Sequence, residues 1–327
     1  MSYDVVTIGS ATVDHFADTE SELIKIQTRT TAEELIAFPL GSKLLIKQLD
    51  IRTGGGGTNS AVAFARMGFK TAFLGKVGED GNGEFVVQYL EDENVNFIGP
   101  REGQTGISFI LDSIEDDRCI LAYKGCNNEL RMDEIAPFKT QWVYLSSILG
   151  ESFDTVIELL QDLKCKLAFN PSNYQAEKGY KRLKPLIDRV DILIMNKEEA
   201  SKFLGLHYEE SPDPSQLMKE MALLPPSIFV ITDGSKGAYV YDRKVLYKAA
   251  PREDLKIQET TGAGDAFAST FTAAQIMGKT IPESIHLAMT NAESVLQYKG
   301  AKDKLLSRDE LFSIAASTSR VIEEETL

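Results

Sequence analysis

The sequence is poor in the residues that build several common kinds of site. Three cysteines in 327 residues, Cys119, Cys126 and Cys165, make no CxxC pair, which argues against a disulfide framework or a thiolate metal cluster. Three histidines, His15, His207 and His286, lie scattered without metal-ligand spacing and leave little for a hydrolase triad. No serine sits in a GxSxG elbow. Basic side chains are outnumbered 35 to 49 by acidic ones, and the formal charge of −14 excludes nucleic-acid backbone binding as the main business. No uncharged apolar run reaches the ~18 residues expected of a membrane span. The first residues, MSYDVVTIGS, lack the basic and apolar regions of a signal peptide, so the expected location is cytoplasmic.

What is present is an alternation. Short apolar runs read as buried strands at Val5–Ile8, Thr71–Leu74, Trp142–Leu145, Leu167–Phe169, Ile192–Met195 and Ile228–Ile231. Amphipathic stretches lie between and after them. Ala61, Phe64, Ala65 and Gly68 follow i, i+3, i+4, i+7, as do Phe267, Thr270, Phe271 and Ala274. Strands alternating with helices predict an α/β chain, a three-layer α/β/α arrangement around a mostly parallel sheet. At ~150 residues per domain the length fits two units, or one large domain with an appendage.

Two stretches break the rhythm. Leu35–Asp50 is apolar and interrupted at Pro39-Leu40-Gly41, and Gly106–Leu111 and Arg118–Tyr123 read as a hairpin about an acidic turn, Ser113–Asp117. They predict a small β-sheet lid from inserted segments at about 13–52 and 98–125 of one domain spanning 1–327. An exposed apolar sheet face predicts a partner subunit. From about Asp309 the chain reads as a helix, ending in a frayed VIEEETL.

In open parallel sheets ligands bind outside the carboxyl ends of the strands. Here those ends read Gly9-Ser10, Gly75, Ser146-Ser147, Asn170, Asn196 and Thr232. Two glycine clusters precede helices. Gly54-Gly55-Gly56-Gly57-Thr58-Asn59 lets backbone approach a ligand closely, or is simply a flexible loop. Thr260-Thr261-Gly262-Ala263-Gly264-Asp265 opens a helix whose free N–H groups make an anion cradle. Asp265 there either complements the helix dipole or orients an attacking hydroxyl. Asn196 and Glu199 share one face of a starting helix, either as a cap or as a pair holding Mg²⁺ through water. Gly278-Lys279-Thr280 is no phosphate loop, since Ala273 stands where that motif needs glycine. No GxGxxG follows a strand, which disfavours a dinucleotide-binding dehydrogenase.

Taken in order, GG-x-G-x-N at 54–59, N-x-x-E at 196–199, the T-x-G-S-x-G turn at 232–237 and T-T-G-A-G-D-A-F at 260–267 resemble the ribokinase-like (PfkB-type) carbohydrate kinases across nearly the whole chain. The resemblance implies a ribokinase-like fold and an ATP-dependent kinase that phosphorylates a primary hydroxyl of a sugar. It implies Asp265 as catalytic base and Gly262, Ala263 and Gly264 as anion hole. Asn196 and Glu199 would organise Mg²⁺ with ATP. Thr232, Gly234, Gly237 and Asn291 would contact the nucleotide, as Gly264 would. Asp14, Gly55, Gly56, Gly57 and Asn59 would bind the sugar hydroxyls. Lids in this family often pair into a dimer clasp, which implies a homodimer.

Two departures matter. Glu259 stands where many relatives have Asp, bordering the cation site of K⁺-activated members, and Gly56 stands where ribokinases proper carry Lys. K⁺ activation and ribose as acceptor are therefore both left open. A nucleoside kinase of the same family is the alternative, with Phe38, Phe109 and Tyr123 of the lid available to stack on a base. A sugar phosphate would need a clamp from Lys43, Lys47, Arg52, Arg118 or Lys124. From another class, the alternative is a catalytically inactive nucleotide-binding regulatory protein, against which the presence of both Asp265 and Glu199 argues.

Overall fold

The computed structural model describes residues 1–19, 22–27, 32–38, 40–41, 43–112, 118–206, 212–298 and 300–327. The expected turn at Ser113–Asp117, Pro39 and His207 fall outside them. Seven parallel strands form the heart of the main sheet, in the order β7 (Asn96–Phe97), β6 (Thr71–Leu74), β1 (Ser2–Ile8), β10 (Lys139–Leu145), β11 (Lys166–Phe169), β12 (Ile192–Asn196) and β13 (Ile228–Thr232). Antiparallel β14 (Ala238–Tyr241), β15 (Leu246–Ala249) and β16 (Ile322–Glu325) extend it.

The strands read as continuous apolar runs because helices cover both faces. Val6 and Ile8 of β1 point to the side of α3 (Gly150–Asp162), α5 (Gly179–Ile187), α6 (Lys197–Phe203) and α7 (Pro214–Met221), packing with Phe153, Leu183, Phe203 and Leu217. Val5, one residue along, points to the other side, where α1 (Gly56–Arg66), α8 (Ala263–Ile276), α9 (Ile281–Leu296) and α10 (Arg308–Ser317) supply Phe64, Phe271, Leu287 and Leu311. Full burial of one such side chain contributes about 1.5–3 kcal/mol.

Helix α8 differs from the amphipathic expectation. Every residue from Ala266 to Ala274 is buried, because α1 and α9 pack on it as well as the sheet. Small side chains there (Ala266, Ala268, Ser269, Ala273, Ala274) let the three helices approach. The chain's end also differs: Ile322–Glu325 is not frayed but pairs with β15, where Ile322 packs on the core and Lys248 meets Glu325 at 2.5 Å. A backbone ladder outweighs the entropy of a loose end.

The second sheet runs β5 (Ile46–Gly54), β2 (Thr12–Thr19), β8 (Gly106–Asp112), β9 (Arg118–Tyr123). A separate hairpin pairs β3 (Glu22–Gln27) with β4 (Ala32–Ala37). The apolar stretch from Leu35 to Asp50 is thus split between two sheets. The inner strand β2 follows β1 after three residues; its sequence TVDHFADT mixes polar and apolar side chains and gives no apolar-run signal. Of the expected insertion 98–125, the part before Gly106 belongs to the main body, where Ile98 N–H donates to Phe73 O and Arg101 bridges to Val77. Buried Lys76 ties that body to the following segment through Glu102 (2.6 Å) and Glu134 (2.7 Å). Ile51, Phe109, Leu121 and Tyr123 leave the outer face of the small sheet apolar and half exposed. No helix among the described residues is long and apolar enough to cross a membrane.

Candidate active site

The carboxyl ends of the parallel strands meet the starts of α1 and α8 at a cleft of about 320 Å³. Ser146 and Ser147 after β10, Asn170 after β11, Asn196 at the end of β12 and Thr232 at the end of β13 form one wall. Gly56, Gly262, Gly264 and Asp265 form the other. Gly75 is not among the lining residues; it packs against Gly9.

Gly262 caps α8 in the left-handed region at φ 83°. A side chain there would be strained, and its Cβ would lie 2.5 Å from Ala301 Cα. The first intrahelical bond runs from Ala266 N–H to Gly262 O; ahead of it Ala263 N–H makes a long turn bond to Thr260 O at 3.4 Å, and this first turn is the positive end of the helix dipole. Thr260 and Thr261 N–H both donate to Glu259 Oε1 (2.8 and 2.9 Å), which makes Glu259 the brace of the approach to this turn.

Asp265 lies in the first turn of α8 and faces Gly56, where an added Cβ would stand 3.4 Å from Asp265 Oδ1 and overlap Ser146 Oγ. Asn59 Nδ2 donates to Asp265 Oδ2 at 2.8 Å. Asn59 Oδ1 is buried with no protein partner among the described residues, an acceptor beside the carboxylate that suits a hydroxyl donor. Burial raises the Asp265 pKa, opposed by the Asn59 amide and by the charge of Lys302.

Asp14 on β2 is buried and accepts from Thr12 Oγ1 at 2.9 Å. Gly54, the last residue of β5, has no side chain because the Asp14 carboxylate fills that space. Gly55 and Gly57 continue the turn into α1, and Gly57 N–H donates to Ser10 O at 3.2 Å. The glycine cluster is therefore a packed junction between two sheets and a helix.

Asn196 and Glu199 form a reciprocal cap of α6: Asn196 Oδ1 accepts from Glu199 N–H at 2.8 Å, and Glu199 Oε2 accepts from Asn196 N–H at 2.9 Å. Both also line the cleft, and burial pushes Glu199 up to about 7. The residues thus cap the helix and present a carboxylate to the cleft at once. Among the described residues no three acidic, His or Cys side chains cluster as direct metal ligands. One buried carboxylate and an amide oxygen fit Mg²⁺ held through its water shell.

Two expectations are corrected. Asn291 does not reach the cleft. It is fully buried, donating to Thr270 Oγ1 (2.8 Å) and accepting from Leu306 N–H (2.9 Å), so its amide joins α8, α9 and the loop after α9. Phe109 and Tyr123 lie on the face of the small sheet opposite Asp14, because Phe109 opposes His15 and alternate residues face opposite ways, which removes them as base-stacking groups. Thr232 reaches the cleft, whereas Gly234 and Gly237 lie in and after the 3₁₀ turn joining β13 to β14.

Sequence reading missed Lys302. It lies in YKGAKDK, which reads as a solvated charged loop, yet it is 2% exposed and donates to Thr58 Oγ1 at 2.9 Å. Periodicity carries no signal for a residue buried from a loop.

The model of the pfkB family carbohydrate kinases matches residues 3–308. A ribokinase of Lactococcus lactis is 29% identical over 258 residues, covering 76% of this chain and 81% of that one. Among solved structures, a Methanocaldococcus jannaschii nucleoside kinase of the ribokinase family superposes with a TM-score of 0.76 at 18% identity, over 96% of this chain and 99% of that one. An Arabidopsis thaliana ribokinase complexed with ribose and ATP superposes with a TM-score of 0.74 at 21% identity, over 96% and 99%. These structures share the fold.

Proposed function

Because the chain belongs to the pfkB family of carbohydrate kinases, which are phosphotransferases, we propose that it transfers the γ-phosphoryl group of ATP to a primary hydroxyl of a sugar. The observation that carries this reading is the Asp265 carboxylate, hydrogen-bonded by Asn59 and set in the open first turn of α8.

The acceptor hydroxyl would lie against Asp265, with Asn59 Oδ1, Asp14 and the Gly55–Gly57 backbone taking the other hydroxyls. Phosphoryl transfer needs positioning and electrostatic stabilisation more than covalent help. Asp265 orients the hydroxyl and accepts its proton late, once the bond to phosphorus is forming. The N–H groups at 262–264 stabilise charge on the moving group, a kind of contact whose single loss typically costs about 3 kcal/mol. Mg²⁺, held by Glu199 and Asn196 through water, would neutralise the phosphate oxygens. The acceptor-side carboxylates Asp14 and Asp265 favour a neutral polyol over an anionic sugar, and the outward position of Phe109 and Tyr123 favours a sugar over a nucleoside. Movement of the small sheet over the cleft would exclude water. Its apolar outer face is the surface we assign to pairing two copies in the cytoplasm.

A coupled ADP-release screen across pentoses, hexoses, nucleosides and sugar phosphates, with and without K⁺, tests the reading. ADP release that depends on a neutral sugar supports it; ADP release with no acceptor at all rejects it. Glu199→Gln keeps the cap, since a Gln oxygen still accepts from Asn196 N–H, but removes the negative charge. The Mg²⁺ concentration for half-maximal rate is expected to rise roughly tenfold with little change at saturation. An unchanged Mg²⁺ titration removes Glu199 from that role.

A further inference from the structure

Lys302 is a buried cation, 2% exposed, that the proposed transfer does not use. Its loop follows α9, and its side chain runs inward beneath the start of α1. There Nζ donates to Thr58 Oγ1 at 2.9 Å, and Thr58 Oγ1 donates onward to Gly54 O at 2.7 Å. Gly54 packs directly on the Asp14 carboxylate, and Asn59, next to Thr58, holds Asp265. One ammonium therefore supports, through one hydroxyl, the loop that packs on Asp14 and holds Asp265.

The other charges facing this group are satisfied among themselves. Arg66 on α1 is paired with Glu93, which caps the C-terminus of α2 (Gly81–Asp92), and Arg52 on β5 is paired with Asp303. The Tyr89 ring of α2 lies 5.3 Å from Nζ. Asp14 and Asp265 are the carboxylates left to Lys302, and both favour its charged form, as does Glu93.

We propose that Lys302 is the counter-ion of the acceptor site, a positioning residue that sets a positive charge behind Asp265 and holds the Gly54–Asn59 loop through Thr58. The inference rests on the kinase reading only for its consequence in catalysis. Burial lowers the Lys302 pKa to about 7, so the counter-charge itself is lost just above neutrality. A cation of this kind favours the ionised form of Asp265 against the cost of its burial.

The test is a ¹³C-carboxyl NMR titration of Asp265 in the native protein, Lys302→Met and Lys302→Arg, with pH profiles of kcat/KM alongside. In Lys302→Met the Asp265 carboxyl titration and the acid limb of kcat/KM are expected to move up by about one to two pH units, the usual effect of losing a nearby opposite charge. Lys302→Arg, charged at every accessible pH, is expected to leave them in place. In the native protein the Asp265 signal is expected to show a second inflection near neutral pH as Lys302 loses its proton, absent in Lys302→Arg. Carboxyl titrations unmoved in folded Lys302→Met overturn the proposal. Should that variant not fold, native signals without the second inflection overturn it equally. A native protein that releases no ADP with any acceptor defeats the kinase reading alone, since the carboxyl titrations still decide the role of Lys302.

Discussion

Asp265→Asn is expected to lower kcat by about a thousandfold, the loss typical of removing a positioned proton acceptor. Nucleotide affinity, read by calorimetry, is expected to stay within a few-fold of the native value, because the anion cradle is built from backbone. Asparagine has the shape of aspartate but cannot take the proton of the acceptor hydroxyl. The pH profile sharpens the test. The Asp265 pKa is raised by burial, so the native rate should fall on acidification above the ordinary aspartate value of about 3.9, and the variant should show no such limb. The sign for stability is opposite to that for activity. A carboxylic acid with a raised folded pKa makes the fold less stable as pH rises through the folded value, so at neutral pH the uncharged variant should melt no lower than the native protein. Near-native turnover would remove Asp265 from the role of base.

Gly262→Ala is expected to damage both fold and rate. Alanine at φ 83° is strained, and its Cβ would stand 2.5 Å from both Ala301 Cα and Ala301 Cβ, closer than carbon atoms approach. Either the start of α8 or the loop before Lys302 must move. We expect a loss of about 2 kcal/mol or more in urea unfolding. The shift of the first-turn N–H groups away from the phosphoryl position should cost about a hundredfold in kcat. Gly264→Ala is the control for folding, since its Cβ would meet nothing within 4 Å. A Gly262→Ala protein as stable and as active as the native one would show that the left-handed cap does not shape the site.

The legible parts of this chain are those whose cause is local. The main-sheet strands β1, β6, β10, β11, β12 and β13 follow from apolar runs that both sheet faces require. The cradle at 262–264 follows from small residues at the start of a helix, and the Asn196–Glu199 cap from a spacing of three. Other features depend on what arrives from elsewhere. Asn291 looks like a free amide on a helix, but Thr270 and the loop at Leu306 use both its atoms. Ile322–Glu325 looks like a loose tail, but β15 offers it an edge.

Gly54 marks the boundary most clearly. Sequence shows four glycines in a row and allows either a flexible loop or a close approach to ligand; the structure shows a carboxylate from β2 occupying the missing side chain's place. Sequence by itself determined the α/β alternation, the polar strand ends, the family and the place of Asp265 in the first turn of a helix, because periodicity, turn chemistry and helix starts act over a few residues. Tertiary structure alone decided that Asp14, Asn59, Asp265 and Lys302 share one neighbourhood and that Phe109 faces away from it. Those relations join residues far apart in the chain, 244 positions in the case of Lys302 and Thr58, and only the packing of two sheets against α1 and α8 brings them together.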